Sequence, residues 1–211
     1  MKYVLAEDFP SVVFFLKHLL VERIGVDPRD VESVGNSDDL LTLVGKEGYK
    51  NAFLLLDLSM PGRYRRLVLV KELLRRNNSL KIVVYTAYNS AHLAKDLLLH
   101  GVAAYVTKGS APDVLINAVR AGLSGEKFTD PSLNLVAAAL ADWYELTPSE
   151  MEVTIAICKQ LSNKAIAKLH GVGPKTVSAH KRSAMSKLTI SRETHLTAYL
   201  YEQGLDYLLD E

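Results

Sequence analysis

The chain opens with a short apolar run, Tyr3 to Ala6, that ends on two acids, Glu7 and Asp8. Pro10 then heads an apolar helical pattern reaching about Glu22. The same alternation recurs four more times. A weak strand, Val31 to Val34, precedes a helix over Asp38 to Val44, and the strand Ala52 to Asp57 precedes a helix from about Leu67 to Arg76. Lys81 to Thr86 leads to a helix from about Ala91 to His100 that Gly101 caps. Ala103 to Thr107 leads to a helix that Pro112 opens and that runs to about Leu123. Five βα units predict an α/β domain with a five-stranded parallel sheet, doubly wound, with helices on both faces.

Beyond residue 124 the strand pattern stops. Ser124 to Asp130 holds a glycine, charge and no apolar period, and a short helix is predicted over Leu133 to Ala141. Thr147, Pro148 and Glu150 then form a capping-box signature for a helix running to about Gln160. Ser162 caps a second helix that stops at Gly171. Gly173 and Pro174 start a third, which extends through about Leu188. The predicted organisation is an α/β domain over 1–124, a linker with a short helix over 125–145, and an all-α domain over 146–211.

Composition narrows the class. With 211 residues, 48% of them hydrophobic, the chain can bury two cores. The single cysteine, Cys158, has no internal disulfide partner and falls in an apolar helical pattern, which points to a buried thiol and a cytosolic setting. No apolar run has the length of a membrane span, and the first strand meets Glu7 and Asp8 too early for a signal peptide. A soluble, cytoplasmic protein is expected, with no membrane partner. The net charge of +1 hides a local imbalance: Lys159, Lys164, Lys168, Lys175, Lys181, Arg182, Lys187 and Arg192 follow one another with no intervening acid. Such a stretch suits a phosphate backbone.

The candidate chemistry lies at the strand ends. Phe53 to Leu56 delivers Asp57 to the carboxyl edge of the sheet, just before Met60-Pro61-Gly62, and ligands of open α/β sheets bind at that edge. The other strands deliver Glu7, Asp8, Thr86 and Lys108 to the same edge. Three converging carboxylates repel one another unless a hard cation holds them, and Mg²⁺ accepts one or two carboxylates, water and a phosphate oxygen. An ammonium and a hydroxyl are the counter-charge and donor that a phosphoryl group on Asp57 needs.

On these residues, 1 to about 124 resembles a receiver domain of a two-component response regulator, a flavodoxin-like fold. The resemblance implies that Asp57 is the phosphoacceptor and that Glu7, Asp8 and Asp57 bind Mg²⁺. It also implies that Thr86 and Lys108 sense the phosphoryl group, with Tyr105 as an aromatic switch. Two positions depart from the family. Glu7-Asp8 stands where two aspartates are common, and Arg63-Tyr64-Arg65-Arg66 stands where relatives carry a smaller, acidic, glycine-containing loop. The loop reads either as a solvated helix start or as a docking patch for an acidic surface, on the phosphodonor or a partner regulator.

Helix, short glycine-containing turn, helix is the helix-turn-helix arrangement, in which the second helix reads DNA. In that helix Val177, Ala184 and Leu188 share an inward face, while Lys175, Ser178, Ala179 and Arg182 share an outward one. Arg can reach guanine bidentately, Ser can take either edge, and an Ala methyl can touch thymine. His180 has no second ligand at metal-binding spacing. Residues 146 to about 200, with LTPSEMEV and LSNKAIAKLHGVGPKTVSAHKRSAMSKL, resemble the tetrahelical DNA-binding domain of the LuxR, FixJ and NarL type. That likeness implies DNA contacts from Asn163, Lys164, Lys175, Thr176, Ser178, Ala179, Lys181 and Arg182. It also implies a final dimerisation helix from Thr194 to about Leu209.

The whole chain therefore resembles a NarL-type response regulator. It is expected to be a transcription factor on double-stranded DNA that takes its phosphoryl group from a histidine kinase or phosphotransfer protein. It is expected to pair as a homodimer, or as a heterodimer with another regulator, and not to turn over external substrates. An auxiliary regulator that pairs with another regulator and works without phosphorylation is the rival, supported by the altered 63–66 loop. An Asp-nucleophile phosphatase is disfavoured because Ser59 stands where a second Asp is wanted.

Overall fold

The computed structural model describes residues 1–210, which divide between Asn134 and Leu135 into two compact units. In the first, strands β1 (Tyr3–Ala6), β2 (Val31–Val34), β3 (Phe53–Leu56), β4 (Lys81–Thr86), β5 (Ala104–Thr107) and β6 (Phe128–Thr129) form one sheet in the order β2-β1-β3-β4-β5-β6. Every pairing is parallel. The helices are α1 (Pro10–Leu19, continued by one π-turn over Leu20–Ile24), α2 (Ser37–Val44), α3 (Arg66–Arg76), α4 (Ala91–Leu99) and α5 (Pro112–Ser124).

Period-two alternation along the strands builds two cores. Leu5, Phe53, Leu55, Val83, Tyr85 and Val106 pack with Leu16, Leu19, Leu115, Ile116 and Val119 of α1 and α5. The intervening Val4, Leu54, Leu56, Ile82, Val84 and Tyr105 are equally buried, as are Leu40, Val70, Leu73, Leu93 and Leu97 from the helices of the opposite face. Burial on both faces explains why the strands read as continuous apolar runs.

The sheet has six strands where the sequence led us to expect five. β6 lies within the 125–145 segment expected as linker. Its Phe128 amide donates to the Ala103 carbonyl, and its neighbours Lys127 and Asp130 reach into the domain with their side chains. A two-residue strand has no period to detect, and its anchoring combines backbone bonds with the Lys127 side chain.

The second unit contains a short helix α6 (Leu135–Ala139), then α7 (Pro148–Cys158), α8 (Asn163–His170), α9 (Pro174–Lys187) and α10 (Leu196–Glu202). The capping box forms: the Glu150 amide donates to Thr147 Oγ1 at 3.3 Å, and the Thr147 amide donates to Glu150 Oε2 at 2.7 Å. Ser162 Oγ accepts the Ala165 amide at 3.2 Å and opens α8. Val153, Ala156, Ile166, Ala167 and Val177 form the core between α7, α8 and α9. The terminal segment is not the one helix expected over Thr194 to Leu209. Gly204, at φ +65°, breaks it, the Leu205 amide turns back to the Leu200 carbonyl at 2.7 Å, and a 3-10 turn over Asp206–Asp210 follows.

Candidate phosphoacceptor site and nucleic-acid interface

Strand register sets the first site. Ala6 lies beside both Val34 and Leu56, so Glu7 and Asp57 leave adjacent strands at one edge. The Asp57 amide donates to the Ala6 carbonyl and the Glu7 amide to that of Val34, both at 2.9 Å, which extends the ladder by one residue and fixes both acids. Each is 2% exposed. Ligand oxygens of Glu7, Asp8 and Asp57 lie within 4.8 Å of one another.

Lys108 Nζ stands 2.7 Å from Asp57 Oδ2 and 2.7 Å from Glu7 Oε2. Burial pushes the ammonium's pKa down, but its hydrogen bonds to the Asp57 and Glu7 carboxylates outweigh burial and raise it. Asp57 Oδ1 accepts the Ser59 amide at 3.0 Å, and Glu7 Oε1 accepts the Phe9 amide at 3.1 Å. Asp8 Oδ1 is buried and accepts no hydrogen bond from the described residues. A carboxylate oxygen left so is costly by itself and suits a cation, so this donor set fits Mg²⁺.

Thr86 joins the same edge, and Tyr105 lies two residues short of it on β5, beside Val84. The Lys108 amide donates to the Thr86 carbonyl at 2.7 Å, and Thr86 is fully buried at the end of β4. Tyr105 is packed inward with no exposure, its hydroxyl donates to the Tyr88 carbonyl at 2.7 Å, and burial raises its pKa. The Arg63 to Arg66 loop turns out to be built rather than merely solvated. Gly62, at φ +130°, lies so close to Ser37 that a Cβ would stand 2.9 Å from the Ser37 amide nitrogen. The Arg63 amide donates to Asp38 Oδ2 at 3.1 Å, and the Arg66 guanidinium lies 5.0 Å over the Tyr88 ring. Arg63 and Arg65 remain exposed.

The second site is the outer face of α9. Lys175, Ala179 and Arg182 are exposed, while Val177, Ala184 and Leu188 are buried, as the spacing predicts, and Thr176 is exposed beside them. Lys164 is exposed on α8. Three residues on or beside this face are engaged by other groups. Ser178 is half-buried, donates to the Pro174 carbonyl at 3.0 Å and receives Asn163 Nδ2 at 3.4 Å, which ties α8 to α9. Lys181 is paired with Glu193 Oε2 at 2.6 Å, and Arg182 Nε donates to the Ser178 carbonyl at 3.2 Å. Sequence reasoning missed Asp130, whose carboxylate holds the loop that carries Lys108. It also missed Glu193. A lone acid in an aperiodic segment gives no signal of its partners.

Comparison with known proteins agrees with this geometry. The model of the response regulator receiver domain matches residues 4–120, and that of the bacterial regulatory proteins of the luxR family matches residues 144–200. The transcriptional regulatory protein RcsB of Escherichia coli (strain K12) is 32% identical over 209 residues, 95% of this chain and 94% of that protein. The response regulator protein VraR of Staphylococcus aureus is 36% identical over 66 residues, 31% of this chain and 32% of its own length. Among solved structures, RcsB from Salmonella enterica serovar Typhimurium bound to promoter rprA with the phosphomimetic BeF3- aligns with TM-score 0.65 and 30% identity, covering all of this chain and 98% of that one. An RcsB–DNA complex aligns with TM-score 0.61 and 31% identity over 95% and 98% of the two chains. The chain thus belongs to the two-component response regulators that join a receiver domain to a luxR-type DNA-binding domain.

Proposed function

We propose that this transcription regulator is switched by phosphorylation of Asp57. The observation that carries the reading is the placement of Lys108 Nζ 2.7 Å from both Asp57 and Glu7, a counter-charge in place before any phosphoryl group arrives. A histidine kinase or phosphotransfer protein is the donor. An Asp57 oxygen attacks phosphorus, the donor's N–P bond breaks, its electron pair stays on the imidazole nitrogen, and an acyl phosphate forms. Glu7, Asp8 and Asp57 would hold Mg²⁺, which when bound supplies positive charge against the transferring oxygens. Lys108 and Thr86 then bind the phosphoryl oxygens as ammonium and hydroxyl donors, and Tyr105 is the aromatic switch that rotates with Thr86.

The output is DNA binding through α9. Lys175, Thr176, Ala179 and Arg182 meet the major groove, Lys164 meets backbone phosphates, and the Asn163 to Ser178 bond holds the two helices in register. RcsB is described as dimers on DNA, and we assign the same state to this chain, as a homodimer or paired with another regulator. Among the described residues no helix is long and apolar enough to cross a membrane, and the reading places the protein in the cytoplasm and outside the enzymes.

Selection of bound fragments from genomic DNA, with and without a small phosphodonor in Mg²⁺, tests this function. Enrichment of a shared sequence that strengthens with the donor is expected. Equal enrichment in both conditions supports the auxiliary, phosphorylation-independent rival, and no enrichment refutes both.

A further inference from the structure

Asp130 follows β6 directly, in the segment that joins the receiver to the second unit. It is 2% exposed and both of its oxygens are engaged. Oδ2 accepts the Thr107 amide at 2.9 Å, Thr107 Oγ1 at 3.0 Å and the Ser110 hydroxyl. Oδ1 accepts the Ser132 amide at 2.9 Å and Ser132 Oγ at 2.7 Å. One carboxylate thus grips the 107–110 loop with one oxygen and the outgoing chain with the other. Burial pushes its pKa up, but the bonds from Ser110, Thr107 and Ser132 outweigh burial and hold it at about 2, so it is ionised at neutral pH.

The gripped loop is the one that carries Lys108. Thr107 is fixed by Asp130, the Lys108 amide is fixed by the Thr86 carbonyl, and Lys108 Nζ touches Asp57. A phosphoryl group on Asp57 adds charge and bulk where Nζ now sits, and the ammonium must follow the new oxygens. Resting on the phosphorylation reading above, we infer that Asp130 passes displacement of the loop that carries Lys108 to residues 130–134. The carboxylate can do this because five donors on two oxygens leave it no slack: a shift of Thr107 and Ser110 either carries Ser132 along or breaks bonds to a buried charge. β6 itself does not depend on this carboxylate. The Phe128 amide bonds Ala103, the Asp130 amide bonds Tyr105, and Lys127 Nζ reaches the carbonyls of Leu98 and Val102 at 3.2 and 2.6 Å.

The test is hydrogen exchange on the full chain, read by mass spectrometry with and without a small phosphodonor in Mg²⁺. Asp130→Asn keeps the size but turns an NH₂ toward donors on one side. Ser132→Ala leaves the loop-side bonds in place and removes only a hydroxyl on the outgoing side, so it carries the test if the first variant fails to fold. In the native protein, labelling should change exchange in both 104–110 and 128–134. Both variants should take label on Asp57 and keep the response in 104–110, while Asp130→Asn loses most of the response in 128–134 and Ser132→Ala, whose backbone amide still reaches Oδ1, loses part of it. Unchanged exchange at 128–134 in the labelled native protein, or native-like responses there in both variants, overturns the coupling. Absence of label on Asp57 in the native protein removes the phosphorylation reading and the coupling with it.

Discussion

Replacing Glu150 by Gln tests how the DNA-binding unit is held together, because this one side chain joins two of its helices. Its Oε2 accepts the Thr147 amide at 2.7 Å at the start of α7 and Lys187 Nζ at 2.8 Å at the end of α9. The Lys187 ammonium, with help from Ser183 and Thr147, holds the carboxyl at about 2 against an ordinary 4.5. At about 1.4 kcal/mol per pH unit, that difference sets a ceiling of roughly 3.5 kcal/mol on its stabilisation. Lys187 is one-third exposed, so solvent screens the pair. Gln also keeps an acceptor for the Thr147 amide, and Lys187 keeps the Glu145 carbonyl at 3.1 Å. The expected loss is therefore about 1–2 kcal/mol.

The sign with pH follows from the lowered value. The contribution is complete above the unfolded pKa near 4.5 and is lost as pH falls through about 2. Trp143, the one tryptophan of the chain, is buried in the same unit, so its fluorescence reports that unit's unfolding within the full protein. Urea titration at pH 7 should show the variant's midpoint lower by about 1 M. The gap should close as pH falls from about 4.5 toward 2. Coincident curves at pH 7, or a gap that widens in acid, would refute the reasoning.

Arg182→Ala should cost on the order of 1–3 kcal/mol at one operator position and relax that position alone. Lys164→Ala should weaken all sequences alike and lower the salt slope by about one; quantitative binding titrations with both unchanged would rule out the docking of α9. Glu193→Gln releases Lys181 from its 2.6 Å ion pair and should raise DNA affinity and salt slope together, as a salt series of binding isotherms would show. Replacing the exposed Arg63 and Arg65 by Ser, with Arg66 left on Tyr88, should slow phosphotransfer from the cognate donor and leave labelling by a small donor intact. Equal transfer rates at low salt would assign the loop a purely local role.

The elements with strong local signals were legible in the sequence. Tyr3–Ala6 and Lys81–Thr86 form strands over the residues their apolar runs predict, the weaker Val31–Val34 does so as well, and Thr147, Ser162, Gly173 and Pro174 start helices where their capping chemistry requires. The acidic site was legible for a related reason: strand ends in parallel sheets share one edge, so Glu7, Asp57 and Lys108 had to meet. What stayed hidden depends on partners distant in sequence. Asp130 reads as linker until Thr107, twenty-three residues away, is seen to donate to it. Lys181 reads as free charge until Glu193 is folded against it, and Ser178 reads as outward until Asn163 reaches it across the turn. The Arg63 to Arg66 loop looked like surplus charge. Its backbone is committed to Ser37 and Asp38, and only two of its three arginines remain on the open surface.

The central claim is that Asp57 is the residue phosphorylated. Incubation with a small phosphodonor and Mg²⁺, followed by peptide mass spectrometry, measures this directly. One phosphoryl group on Asp57 is expected in the native protein, none in Asp57→Asn, and none in the native protein when a chelator removes Mg²⁺. Modification at another residue, or equal labelling of Asp57→Asn, would contradict the assignment of the site.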